Sequence, residues 1–243
     1  IEPLGFKLDD KYLKRAGLDY SPLVIINKFG NIDDFLDSKS TKRIISFSKK
    51  NGMYLKDFKF QDDDVLWYEN DGSGNYTETS IDGNLNGAQG IAVNDIDGDG
   101  DFDIFATARN DNEVVLYTNN GSQSFTKTVI DSDLIQPHDV QCTDLNDDGY
   151  MDVIATGRTS DKVIWYSNDG TQTFTENILD DAVNGAVGFF ISDLDEDGDK
   201  DLIIAELDGN KVVWLSNDGS ESFTKTTIST ITRARDEIAD DID

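Results

Sequence analysis

The chain is short of most of what a catalytic centre or a disulfide scaffold draws on. Its 243 residues include one cysteine, Cys142, and one histidine, His138. A lone cysteine excludes an internal disulfide, and its apolar alternation with Val140 marks a buried structural thiol rather than a nucleophile. His138, beside Asp139 in "QPHDV", is a solitary candidate base with no serine or cysteine placed by spacing to serve it. Positive charge is scarce: 21 Lys and Arg stand against 49 Asp and Glu, for a net charge of −28. A nucleic-acid backbone or an anionic membrane would be repelled, so cations, neutral sugars and basic proteins are the expected partners. No apolar run approaches the ~20 residues of a membrane helix, which argues against membrane insertion. The first residues, "IEPLGFKLDD", hold neither an initiator Met nor a charged-then-apolar leader, as expected of a mature or excised piece.

What is present is a repeat. "VLWYENDGSGNYTETSID" begins at 65, "VVLYTNNGSQSFTKTVID" at 114, "VIWYSNDGTQTFTENILD" at 163 and "VVWLSNDGSESFTKTTIS" at 212, a constant step of 49 residues. An acidic motif keeps the same step: "DIDGDGDFD" at 95, "DLNDDGYMD" at 144 and "DLDEDGDKD" at 193. Alternation in "GIAVND" predicts a first strand, and the apolar runs "FDIFATA", "MDVIATG" and "DLIIAEL" predict a second one covered on both faces. A third strand carries Trp67, Leu116, Trp165 or Trp214 and ends in an Asn/Asp-Gly pair suited to a tight hairpin. The fourth holds Tyr76, Phe125, Phe174 or Phe223. Four short antiparallel strands per period predict an all-β fold, a β-propeller of four-stranded blades stacked through those aromatics, with about four blades visible.

The expected organisation is a cap or linker over residues 1–40 and the propeller over 41–243. Residues 41–60 read as two strands of a further blade in which "KKNG" replaces the acidic loop. "EIADDID", at the C-terminal end, echoes "GIAVNDID" with one residue missing.

Side-chain oxygens in the acidic loops fall at positions 1, 3, 5 and 9, with Gly at 6. The sets are Asp95, Asp97, Asp99 and Asp103; Asp144, Asn146, Asp148 and Asp152; and Asp193, Asp195, Asp197 and Asp201. The backbone carbonyl at position 7 (Asp101, Tyr150, Asp199) is the expected further donor. Oxygen-only ligands at this spacing suit Ca²⁺ better than Mg²⁺, giving three expected sites. An EF-hand is excluded, because its twelfth position would fall on Ala106, Ala155 and Ile204 within apolar strands. Tandem Gly-Gly-x-Gly-x-Asp runs of calcium β-helices are absent.

These D-x-[DN]-x-D-G-x-x-D loops within a four-strand period resemble the FG-GAP/VCBS repeats of integrin-α-type β-propellers. The resemblance covers residues 41–243 and implies calcium held between the first and second strands of a blade. Only part of a Phe-Gly…Gly-Ala-Pro cage is kept, in "NGAQG" and "NGAVG", so the bacterial VCBS type is the nearer likeness.

Sites of this kind work where calcium is millimolar, which places the expected location outside the cell or at its surface. The leading expectation is a non-catalytic propeller for adhesion or recognition of carbohydrate or a surface protein. Two alternatives are a surface-polymer subunit self-associating by strand addition, and the propeller domain of a polysaccharide-degrading enzyme. Arg109 and Arg158, one period apart at the end opposite the acidic loops, are the candidate ligand contacts.

Overall fold

A computed structural model describes residues 64–70 and 76–235. Contacts divide the chain into residues 1–43 and 44–243, and every described residue lies in the second unit. The expected cap, the expected "KKNG" strands and the "EIADDID" stretch lie outside the described residues.

Every regular element described is a strand. Blade 1 contributes β1 (Val65–Asn70) and β2 (Tyr76–Asp82). Blade 2 is β3 (Ala88–Asn94), β4 (Asp103–Ala108), β5 (Glu113–Asn119) and β6 (Phe125–Asp131). Blade 3 is β7 (Pro137–Thr143), β8 (Asp152–Gly157), β9 (Lys162–Asn168) and β10 (Phe174–Asp180). Blade 4 is β11 (Ala186–Ser192), β12 (Asp201–Glu206), β13 (Lys211–Asn217) and β14 (Phe223–Ser229). In blades 2 to 4 the strands follow sequence order and pair antiparallel throughout. First strands lie side by side, β3 against β7 and β7 against β11, which is the radial arrangement of a β-propeller.

The second strands are the most enclosed, with all six residues of β4 and of β8 buried. Their two faces feed two different inter-blade layers. Phe105 and Leu116 of blade 2 pack with Val140, Val153 and Ile164 of blade 3. Ile154 and Trp165 of blade 3 pack with Phe189, Ile204 and Leu215 of blade 4. Each sheet thus buries its apolar faces only by stacking, as the 49-residue period requires. Trp165 is 3% exposed, and the ring of Trp67 tilts against Phe125 at a centroid distance of 5.6 Å, so these aromatics are core.

First strands approach so closely that a Cβ on Gly90 would lie 2.9 Å from backbone atoms of His138, Asp139 and Val140. Thr107 completes the joint, its hydroxyl accepting from the Gly90 amide at 2.8 Å and donating to the His138 carbonyl at 3.3 Å. Entry into each new blade repeats as well. The amides of Gln136, Gly185 and Arg233 donate to the side chains of Asn112, Asp161 and Asn210 at 2.9, 2.9 and 3.0 Å. Residues 231–235 therefore take the same turn as those that open blades 3 and 4.

Candidate metal centre

Each acidic loop joins a first strand to a second strand and is wound by its own carboxylates. In the first loop, Asp95 accepts from the amides of Gly98 and Gly100 at 2.9 and 3.0 Å, and Asp99 from Asp101 at 2.9 Å. The second repeats this with Asp144 on Asp148 and Gly149, and the third with Asp193 on Asp197 and Gly198. Glycine is required at position 6, where φ is +94° at Gly100, +91° at Gly149 and +102° at Gly198.

Positions 1, 3 and 5 converge. Carboxylate oxygens of Asp95, Asp97 and Asp99 lie within 4.8 Å of one another, and so do those of Asp193, Asp195 and Asp197. The second loop has only two carboxylates at these positions, because Asn146 stands at position 3, where its amide donates to Asp148 at 3.0 Å.

Position 9 is a buried strut. Asp103, Asp152 and Asp201 are each 0% exposed. Asp103 accepts from the amides of Ile96 at 3.0 Å and Asn119 at 2.7 Å, one per oxygen. Asp152 and Asp201 do the same with Leu145 and Asn168, and with Leu194 and Asn217. Burial, together with the fields of Asp97 and Asp99, holds the Asp103 carboxyl above the usual carboxylate range despite those hydrogen bonds. Desolvation, then Asp197 and Asp201, does the same to Asp195. Unrelieved carboxylate crowding and an all-oxygen donor set fit a hard divalent cation. The side chains of Asp101, Tyr150 and Asp199 lie over the hairpin glycines Gly121, Gly170 and Gly219, so position 7 offers the cage its backbone.

Sequence reasoning missed the hairpin. It is longer than the expected tight turn: Asn119 pairs with Phe125 across five residues, closed by Asn120 donating to the Ser124 carbonyl at 3.1 Å. It carries a second left-handed residue besides glycine, at Gln123, Gln172 and Glu221, with φ of 58°, 60° and 62°. Cross-blade contacts were missed too. Gln172 donates to Asp97 of the preceding blade at 2.9 Å, and Lys200 donates to the Asp144 carbonyl at 2.8 Å and pairs with Asp147 at 3.1 Å. Only the 49-residue alignment of hairpin and loop could have suggested these meetings.

The other candidates fall away from this centre. Arg158 pairs with Asp208 across blades at 3.5 Å. His138 sits in β7 and its carbonyl serves the Thr107 joint. Burial pushes the Cys142 thiol up to about 12, as a structural thiol requires.

Comparison with known proteins gives two distinct likenesses. Residues 95–155 and 144–204 match the family described as FG-GAP-like repeat. Over 66 residues the chain is 38% identical to a tRNA (cytidine(34)-2'-O)-methyltransferase of Saccharophagus degradans, covering 27% of this chain and 43% of the enzyme. The Escherichia coli enzyme is 34% identical over 68 residues, covering 28% and 43%. The chain spans less than half the length of these curated relatives. Among solved structures, an Agrocybe aegerita lectin recognising non-reducing terminal N-acetylglucosamine superposes with a TM-score of 0.49 at 22% identity, covering 70% of this chain and 47% of the lectin.

Proposed function

Residues 95–204 belong to the FG-GAP-like repeats, and on that premise we propose that this propeller is a calcium-stabilised, non-catalytic recognition module working outside the cell or at its surface. The observation that carries the reading is the register of the acidic loops: three loops, 49 residues apart, turn at a left-handed glycine, and the first and third gather three carboxylates each. Asp95, Asp97, Asp99 and Asp103 would hold one ion, with the Asp101 carbonyl. Asp144, Asn146, Asp148 and Asp152 would hold a second with the Tyr150 carbonyl, and Asp193, Asp195, Asp197 and Asp201 a third with that of Asp199. Bound calcium supplies positive charge and no reaction chemistry. Position 9 transmits that occupancy to the fold, because the same carboxylate that faces the ion ties the loop to the hairpin of its own blade.

With ions bound, the loops of blades 2 to 4 would be held rigid and would present an acidic rim. Surface proteins with basic patches and neutral carbohydrates are the ligand classes that such a rim admits. A glycan and protein array probed with and without chelator tests this reading. Calcium-dependent capture of a defined ligand class supports it, and capture indifferent to chelator counts against it.

The methyltransferase likeness favours a second reading, in which part of the chain shares its origin with a tRNA-modifying enzyme. Charge is unevenly divided along the chain: residues 1–60 hold 12 of the 21 Lys and Arg but 8 of the 49 Asp and Glu. Since the chain spans 43% of the enzyme's length, the expected result of a tRNA methylation assay is no turnover. Methylation of cytidine 34 would establish the second reading.

A further inference from the structure

We propose that Glu221, on the β13–β14 hairpin of blade 4, reaches across to the second acidic loop and supplies the carboxylate that Asn146 leaves out. The inference rests on calcium occupying that loop. The first and third loops each gather three carboxylates, whereas the second has Asp144, Asp148 and a neutral amide. One period before Glu221, Gln172 shows where this hairpin residue points. Its amide nitrogen donates to Asp97, the position-3 residue of the preceding blade's loop, at 2.9 Å, while its oxygen accepts from Thr118 at 3.3 Å.

Glu221 has the backbone to make the same crossing. Its φ of 62° matches the 60° of Gln172, and both hairpins are pinned by an asparagine accepting from the glycine, Asn168 from Gly170 at 3.1 Å and Asn217 from Gly219 at 3.2 Å. A left-handed backbone is uncommon at a glutamine or glutamate, and its recurrence places the two Cα atoms at the same point of their hairpins. Glu221 lines a cavity of ≈ 170 Å³ between blades 3 and 4 together with Asn146 and Asp147. Across the first joint the pair is acid and amide, Asp97 with Gln172. Across the second it is amide and acid, Asn146 with Glu221. The exchange keeps one carboxylate for each ion while changing which blade provides it. Lys200, on the Asp144 carbonyl at 2.8 Å, adds positive charge beside the second loop and makes that carboxylate matter more.

The test is a calcium titration of the full chain followed by amide NMR, with Gly100, Gly149 and Gly198 each reporting one loop. In E221Q the Gly149 midpoint should move to about tenfold higher calcium, as expected for one lost charged ligand, with Gly100 and Gly198 unmoved. N146D added to E221Q should restore it. An unshifted Gly149 midpoint in E221Q overturns the inference and leaves calcium binding standing, as does an equal shift at all three glycines. Three glycines silent to calcium in the unsubstituted chain overturn the metal reading and the inference together.

Discussion

The carboxylate of Asp103 accepts the backbone N–H of Asn119 at 2.7 Å, and this bond, repeated at 2.8 Å by Asp152 with Asn168 and by Asp201 with Asn217, joins each acidic loop to the hairpin beside it. The ninth position of the motif therefore has a structural task independent of any ion, while the fifth faces solvent and the cage.

That division separates two substitutions. Asp152→Ala orphans the amides of Leu145 and Asn168 and should cost about 2–4 kcal/mol of unfolding free energy already in chelator, with a further loss in calcium because the second loop also gives up a ligand. Asp148→Ala removes an acceptor of the Tyr150 amide in the exposed loop and should cost much less in chelator, its loss showing mainly in calcium. Urea melts of both variants under both conditions provide the check, and equal losses in chelator would contradict the division.

Gly219 should accept a side chain only under strain. A Cβ there would lie 2.4 Å from an oxygen of Asp199, and φ is +71°. Gly219→Ala is expected to lose about 1–3 kcal/mol through strain and, by displacing position 7, to weaken calcium at the third loop alone. Thermal melting and site-resolved titration measure the two effects.

Acid stability should depend on Asp82. Burial opposes its ionisation, but the Tyr117 hydroxyl at 2.8 Å, the Asn84 amide and Lys127 outweigh it and hold the carboxyl below its ordinary value. A depressed folded pKa contributes stability above the unfolded value near 3.8 that is lost as pH falls through the folded one. Tyr117→Phe removes part of that contribution, so its acid unfolding should begin at higher pH. Circular dichroism between pH 5 and about 2 follows it, and superimposable acid limbs would refute the assignment.

Glu206 is 0% exposed and is held by Lys225 at 3.0 Å and Lys211 at 3.2 Å. Lys225 also bonds Asp180 at 3.2 Å and the Ala182 carbonyl at 2.7 Å. Lys225→Met leaves Glu206 with Lys211 alone and should destabilise blade 4 by less than the about 3–5 kcal/mol that a fully stranded buried charge costs. Adding Glu206→Gln should recover part of the loss, and a denaturant melt of the double variant checks that recovery.

Much of the blade was legible because its signals are local and periodic. The strands beginning at Phe125, Phe174 and Phe223 start where the aromatic repeat places them. Trp165 is buried as the pattern implies, whereas Cys142 is only partly buried and the alternating Ile91 and Val93 of β3 are exposed, because alternation groups residues by face and does not say what covers that face. The hairpin is longer than expected because its Asp-Gly pair signals one left-handed residue and says nothing of a second at Gln172 or Glu221. Contacts such as Gln172 with Asp97 were illegible because they depend on how one blade sits against the next. The contacts of Lys200 with Asp144 and Asp147 lie in that same tertiary register, which the motif spacing does not encode.

Scanning calorimetry of the whole chain in chelator and in millimolar calcium tests the central claim most directly. At a hundredfold excess over its dissociation constant, calcium should contribute about 2.7 kcal/mol per site, which raises the melting temperature by about 5–10 °C per occupied site in a chain of this size, reversibly on chelation. A midpoint that stays the same in both solutions would contradict it.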